Sequence, residues 1–416
     1  MVDRLAEKGE SVDVFFTGWL YEPDLAALNA SPPAYGLHSK GERSRKPVRQ
    51  DLSGRQRQFA RLVRSVVRQL VLNWRRTIGK HTKPPPICYR RFGLQIHEPK
   101  LSDFYDEEVR RRFVSLCEQV RPDIVIVEYV RLAWLLSNIR GVVPDHCISF
   151  LDTHDVQYER QSRFHERGLV HDIDISPKEE AAALGLANFV IAIQSADKQK
   201  LETLVPHAKI LVAGLAPPVQ PAPRYAPQLS GVIRLGFIGS SMSPNIAAAK
   251  RLIENIFRPL RERISNQVEL HIYGGVCGRI EASFLGDGVH VHGYAANVAD
   301  VFATIDIFVN PVETGGGLKI KNVEALSHGV ALVTSSIGAE GIEHGAGSAF
   351  IVADEDEQYV TTILSLAQDT GRCMRLRNAA WEFSRKYFGD EIVYRQLDDV
   401  WLQHRNGIDK LSRSLI

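Results

Sequence analysis

The chain has 416 residues, of which 44% are hydrophobic and 24% charged, and its net charge is +2. These values suit two or three globular domains and exclude a mostly disordered or collagen-like chain. No apolar run approaches the ~18–20 residues that span a bilayer, and the charged opening Met-Val-Asp-Arg-Leu-Ala-Glu-Lys does not read as a secretory leader. Five cysteines lie far apart with no Cys-x-x-Cys pair, which argues against zinc and disulfide frameworks and fits a reducing cytosol.

Val12–Phe16 reads as the first strand. Residues 40–91 then hold sixteen Lys or Arg against only Glu42 and Asp51, a local +14 that leaves −12 for the remainder. Within this stretch Phe59, Leu62, Val63, Val66, Val67, Leu70, Val71 and Trp74 recur at helical spacing, with arginines on the other faces. This basic amphipathic helix, about 52–76, fits an anionic membrane surface; a core helix with a solvated basic back fits equally. Few interleaved aromatics and no helix-turn-helix or finger pattern argue against nucleic acid. Strands are predicted at 123–130, 147–151, 189–193 and 209–212, with helices at 177–186 and 195–205. The strands are near-continuously apolar, as in a parallel sheet covered on both faces. Five prolines in Ala216–Pro227 then read as an extended linker. A second strand-and-helix series follows. Its strands are at 233–238, 268–273, 289–292, 306–309, 331–334 and 349–352, and its helices at 246–263, 298–304 and 322–328. A helical tail runs from Gln358 to about His404, broken near Gly389. Such alternation predicts doubly wound α/β architecture, with ligands at the carboxyl ends of strands.

The sharpest segment is Asn310-Pro-Val-Glu-Thr-Gly-Gly-Gly-Leu-Lys-Ile-Lys-Asn-Val-Glu-Ala-Leu-Ser-His-Gly. A strand ends, three glycines follow, and a helix opens. Gly315, Gly316 and Gly317 let backbone N–H groups approach a ligand, and a helix N-terminus favours an anion. Lys319 and Lys321 add charge there, and Glu324 sits about one turn into the helix, where a carboxylate can accept from paired sugar hydroxyls. The set reads as a site for a diphosphate attached to a ribose. The plainer alternative is a turn, two solvated lysines and a helix-stabilising glutamate. Arg234-Leu-Gly-Phe-Ile-Gly239-Ser240 opens the second series in a strand-loop-helix, with Asn245 as a candidate N-cap. Leu151-Asp-Thr-His154-Asp155-Val-Gln157 follows a strand, where His154 suits acid/base or hydrogen-bonding work and Asp152 or Asp155 suits capping.

Gly316-Gly-Leu-Lys-Ile-Lys-Asn-Val-Glu324-Ala-Leu-Ser-His-Gly329-Val-Ala-Leu-Val333 and the following Gly-Ala-Glu-Gly341 resemble the donor signature of GT-B glycosyltransferases of family 4. The resemblance implies two Rossmann-like doubly wound parallel-sheet domains facing a central cleft. It places an acceptor-side domain at 1–215, a linker at 216–231, a donor domain at 232–378 and a helical tail at 379–416 that crosses back. By that resemblance Glu324 binds the donor ribose, and Lys319 and Lys321 balance the leaving diphosphate. Gly239, Ser240 and Gly315–Gly317 face the diphosphate, Gly293 lies where the base is held, and His154 contacts the transferred sugar or acceptor. Many relatives carry a Glu at the position of Gly316, so no carboxylate in this loop is assigned a role. The implied activity is retaining transfer of a sugar from a nucleotide-sugar to a glycan or lipid-linked acceptor of a bacterial surface polysaccharide. No cofactor or metal is expected, since the lysines and the helix terminus can take the place of a divalent cation, and the implied location is the cytoplasm or the inner face of the plasma membrane. A sugar-nucleotide epimerase and a non-catalytic partner protein are the alternatives. GT-B domains usually open with a strand and a glycine loop, and here residues 2–17 read as the end of the first helix followed by the second strand. The first strand is therefore expected to be missing.

Overall fold

A computed structural model describes residues 12–16, 35–39, 98–218, 220–222, 231–264 and 267–414. The basic segment 52–76, the residues before Val12 and most of the proline-rich linker lie outside them. The chain divides into one compact unit of residues 1–92, 105–122 and 138–145, and a second of 93–104, 123–137 and 146–416. In the first, β1 (Val12–Phe16) and β2 (Tyr35–Ser39) pair in parallel. The same unit holds α1 (Glu107–Val120), which the sequence reading did not anticipate; Asp106 caps it by accepting from the Val109 N–H.

The second unit holds two parallel sheets. Four strands, β3 (Ile124–Glu128), β4 (Ile148–Asp152), β5 (Phe189–Ala192) and β6 (Lys209–Val212), lie side by side in that order. The other sheet contains β7 (Ile233–Ile238), β8 (Val268–Tyr273), β9 (Val289–Gly293), β10 (Ile307–Asn310), β11 (Ala331–Thr334) and β12 (Ile351–Val352). Its order is β12-β11-β10-β7-β8-β9, so the chain reverses direction across the sheet between β7 and β10. Ligands bind at such switch points because the loops after the two strands diverge there. All residues of β10 and β11 are buried, which is why these strands carry no alternation. The predicted strand at 349–352 is shorter, at Ile351–Val352.

Helix α2 (Gln157–Glu166) follows β4, and α3 (Pro177–Leu184) precedes β5. Ser176 and Glu179 form a capping box on α3 with Pro177 in its first turn. Buried Glu180 on α3 accepts from the Gln157 and Tyr158 N–H groups, both at 2.8 Å, and so caps α2 from outside. The cap residue itself is Val156, which corrects the expectation that Asp152 or Asp155 would serve. Glu180→Ala should leave two donors without acceptors and cost about 2–4 kcal/mol, checked by denaturant unfolding.

Helix α4 (Ser195–Leu204) follows β5. Helix α5 (Ser243–Arg251) follows β7 and runs through a π-helical stretch, Leu252–Phe257, into Arg258–Arg263. Leu252, Ile253, Ile256 and Phe257 are all buried against Leu235, Phe237, Leu270 and Ile272, so the wider turn serves core packing. The N-cap of α5 is Met242, not Asn245, which lies in the first turn. Helices α6 (Val298–Thr304) and α7 (Ile320–Ser327) flank β10. Then come α8 (Asp356–Gln368), α9 (Thr370–Tyr387) and α10 (Arg395–Ser414). Gln396 accepts from the Val212 N–H at 2.9 Å, and His404 lies 3.2 Å from the Asp123 carbonyl. The final helix thus reaches the four-stranded sheet. Among the described residues no helix is long and apolar enough to cross a membrane.

Candidate functional site

A buried amide network sets the base of the glycine loop. Asn310, at the end of β10, donates to Asn322 Oδ1 at 2.9 Å, and Asn322 donates to Thr334 Oγ1 at 3.1 Å and to the Gly338 carbonyl at 2.8 Å. Thr334 returns a bond to the Asn310 carbonyl at 3.0 Å, which locks β10, α7 and β11 together. From this base the loop turns through Gly315 (φ +146°) and Gly317 (φ +62°). A side chain at Gly317 would place Cβ 2.2 Å from Asp155 Oδ1 and 3.2 Å from the His154 carbonyl. The loops after β4 and β10 therefore pack on each other through a bare backbone.

Lys319 is the cap residue of α7 and folds back over the loop. Its Nζ donates to the Gly316 and Gly317 carbonyls at 3.1 and 2.8 Å and pairs with Glu340 at 3.1 Å. Arg163 on α2 binds the same Glu340 carboxylate and donates to the Gly315 carbonyl at 3.0 Å. Burial pushes the Lys319 ammonium below its ordinary pKa, and Glu340 opposes that shift. A cavity of about 100 Å³ opens beside this cluster, lined by Arg160, Arg163, Gln194, Asp197, Gly316 and Glu340 among others.

Lys321 lies one step further into α7. Its Nζ donates to Asn245 Oδ1 at 2.7 Å and to the Ile238 carbonyl at 3.0 Å, and it sits 4.5 Å over the Phe237 ring. Burial, with Lys319 repulsion behind it, lowers its pKa to about 7. Asn245 in turn donates to Ser240 Oγ at 2.9 Å, so the loop after β7 is tied to α7 through Lys321. The Gly239 N–H donates to the Tyr273 carbonyl at 3.0 Å, and the Gly274 N–H donates to the Gly293 carbonyl at 2.7 Å. The ends of β7, β8 and β9 thus meet around Gly239, Gly274 and Gly293. Glu324, one turn beyond Lys321, is half-buried, and burial alone raises its pKa to about 7. Among the described residues no side chain bonds to its carboxylate.

His154 follows β4 in a left-handed backbone conformation (φ +60°), and Tyr129 follows β3 with φ +66°. The two rings stack with centroids 4.1 Å apart and 10° between planes, and the Arg131 guanidinium lies 4.5 Å over Tyr129. Each such non-glycine conformation costs on the order of 1–3 kcal/mol and persists where surrounding structure imposes it. Among the described residues His154 Nε2 is buried without a hydrogen-bond partner, 3.9 Å from Glu128 and 4.0 Å from Asp152. Asp155 faces Gly316 and Gly317 and lies 3.6 Å from Arg160; burial raises its pKa against the pull of Arg160 and Lys319.

Of the candidate site residues, Gly293 closes β9 and the others fall on strand-end loops or on α7. Sequence reading missed Tyr129, Arg160 and Arg163. The Arg160-x-x-Arg163 spacing on one helix face was a usable signal; Tyr129, at the end of an apolar run, carried none.

Residues 233–369 match the family described as glycosyl transferases group 1. A Klebsiella pneumoniae protein, described as an uncharacterized 44.6 kDa protein in cps region, is 24% identical over 91 residues, 22% of this chain and 24% of that one. Among solved structures, Anabaena Alr3699/HepE in complex with UDP-glucose is similar at 12% identity and a TM-score of 0.58, over 94% of this chain and 99% of that chain. TarM is similar at 16% identity and a TM-score of 0.56, over 71% of this chain and 58% of that chain. Sucrose-phosphate synthase from Thermosynechococcus elongatus is similar at 13% identity and a TM-score of 0.57, over 74% of this chain and 79% of that chain. The chain thus spans about a quarter of its curated relative and a little over half of TarM. The fold is GT-B, built on parallel sheets in α/β units.

Proposed function

We propose that the chain is a retaining glycosyltransferase of family 4. It moves a sugar from a nucleotide-sugar to a glycan or lipid-linked acceptor during assembly of a bacterial surface polysaccharide. The observation that carries this reading is the α7 N-terminus. The glycine loop, Lys319 and Lys321 converge there, and the Glu324 carboxylate, without a partner among the described residues, lies one turn further on. The match of 233–369 to glycosyl transferases group 1 supports it, as does the cps-region relative. Similar structures described in complex with UDP-glucose, or with UDP and alpha-GlcNAc-glycerol, support the donor class and an acceptor.

In this reading the donor's C1–O bond breaks and its electron pair passes to the diphosphate. Backbone N–H groups and ammonium groups stabilise that charge where it develops. These cations stand where other enzymes use a divalent ion. The acceptor hydroxyl then bonds to C1 on the same face and passes its proton to the oxygen of the departing diphosphate. His154, with the Tyr129 ring behind it, faces the sugar or the acceptor.

A panel of nucleotide-sugars tests the reading, with release of nucleoside diphosphate and mass gain of the acceptor as readouts. Turnover of none in the panel would remove it. Glu324→Ala should weaken nucleotide binding by about 1–3 kcal/mol, since a charged hydrogen bond is lost. Pyrophosphate, which lacks the ribose, should bind unchanged; calorimetry on both ligands checks this. His154→Ala should lower kcat more than it lowers nucleotide affinity, because His154 follows a strand of the sheet that does not hold the nucleotide. Steady-state kinetics beside calorimetry decide it, and full turnover in the variant would assign His154 to packing alone.

A further inference from the structure

The outer strands of the six-stranded sheet carry a group of side chains that the donor site does not use. β8 reads Val-Glu-Leu-His-Ile-Tyr and β9 reads Val-His-Val-His-Gly. Strand alternation turns Val268, Leu270 and Ile272 into the core and leaves Glu269 and His271 together on the other face. The register sets His271 opposite His290. The His271 ring stacks on His290 at 5.0 Å and on His292 at 5.2 Å.

The arrangement goes beyond ring stacking. Glu269 Oε2 lies 3.3 Å from His271 Nε2, and Glu269 Oε1 lies 3.8 Å from His290 Nε2. One donor atom from each of Glu269, His271 and His290 lies within 4.8 Å of the others. The second nitrogen of His271, Nδ1, is 3.0 Å from His292 Nε2.

We propose that Glu269, His271 and His290 form a binding site for a divalent transition-metal ion of the zinc type, with His292 holding His271 in the required orientation. Zinc takes imidazole nitrogen and carboxylate oxygen at about 2.0–2.2 Å, which places tetrahedral donor atoms about 3.3–3.6 Å apart. The carboxylate-to-imidazole separations already bracket that range. Two imidazoles with a single carboxylate suit zinc, nickel or copper and not the oxygen-rich shells of calcium or magnesium. With Nε2 turned to the metal, His271 Nδ1–H donates to His292 Nε2, the kind of outer contact that fixes a ligand's tautomer. His290 is 46% exposed and β9 is the edge strand, so a fourth position opens to water or to a further ligand. A bound ion would cross-link β9 to β8.

The test uses the full chain, stripped with chelator and dialysed, then titrated with zinc chloride by calorimetry and with cobalt(II) by absorption. One zinc per chain is expected, with a cobalt spectrum of nitrogen and oxygen ligation and no thiolate charge-transfer band. His290→Ala and His271→Ala should each abolish uptake, and His292→Phe should weaken it about 10–100-fold. His290 is exposed, so its variant keeps the fold even where His271→Ala does not, and metal-free thermal melts verify this. The proposal fails if the native chain takes up no more zinc than His290→Ala does. A thiolate spectrum would also overturn it.

Discussion

Lys321→Met should weaken nucleotide-sugar binding about 10–150-fold, the equivalent of the ~1.5–3 kcal/mol that a charged hydrogen bond contributes. Lys321 is preferred to Lys319 for the larger effect. The Lys319 ammonium already has three protein acceptors, two carbonyls and Glu340. Lys321 has two neutral acceptors, and burial lowers its pKa to about 7. A diphosphate favours the charged lysine, so binding above pH 7 must take up a proton. Affinity should therefore be flat in this group below pH 7 and fall up to tenfold per pH unit above it, until the raised pKa of the complex is reached. Glu324, with its pKa raised to about 7, acts in the opposite sense: only its carboxylate form accepts from both ribose hydroxyls, so affinity falls below pH 7. Nucleotide-sugar affinity should then peak near neutrality. Lys321→Met should erase the alkaline limb and Glu324→Gln the acid limb. Calorimetry from pH 5.5 to 9 reads both. A nucleotide-sugar is the right ligand because its diphosphate has no proton to lose in that range. A flat profile in the native chain would sink both assignments.

Gly317→Ala should lower turnover by at least about tenfold while the far-ultraviolet spectrum stays native. A left-handed conformation costs an L-residue roughly 1–2 kcal/mol, and Gly317 holds φ +62°. The added Cβ would also lie 2.2 Å from Asp155 Oδ1 and 3.2 Å from the His154 carbonyl, so the two strand-end loops must part. Gly316→Ala is the matched control. Its φ is ordinary and its Cβ would meet Asp155 Oδ1 at 3.3 Å and Arg160 Cβ at 3.4 Å, a tight contact that small shifts relieve. Adding Asp155→Ala to Gly317→Ala should recover part of the lost rate, because the collision with the carboxylate goes while the backbone penalty and the His154 carbonyl contact stay. Equal rates for Gly316→Ala and Gly317→Ala would show that loop contact has no part in turnover.

The second sheet was legible almost residue by residue. β7, β8 and β11 match the predicted spans because each is a short run rich in β-branched and other apolar residues, alternating in β8, and closed by glycine or serine. The glycine loop was legible from local features too: three glycines before a helix, two lysines and a glutamate one turn on. Helix starts were less so. α5 begins at Ser243 because Met242 takes the cap, which frees Asn245 to join Ser240 to Lys321. The α2 cap comes from Glu180, twenty-three residues away, and no local pattern could reveal it.

The sequence by itself determined the repeated strand-and-helix units, the switch-point loops and the charged groups at the start of α7, since periodicity, glycine conformation and charge are properties of neighbours along the chain. The tertiary structure alone decided which of those groups meet. It pairs Lys319 with Glu340 and Arg163, leaves Glu324 without a partner among the described residues, stacks His154 on Tyr129 in two strained turns, and sets His271 between His290 and His292. The physical reason is that pKa, strain and ligation depend on burial and on contacts between strands distant in sequence, which only the sheet register and the packing of loop on loop fix.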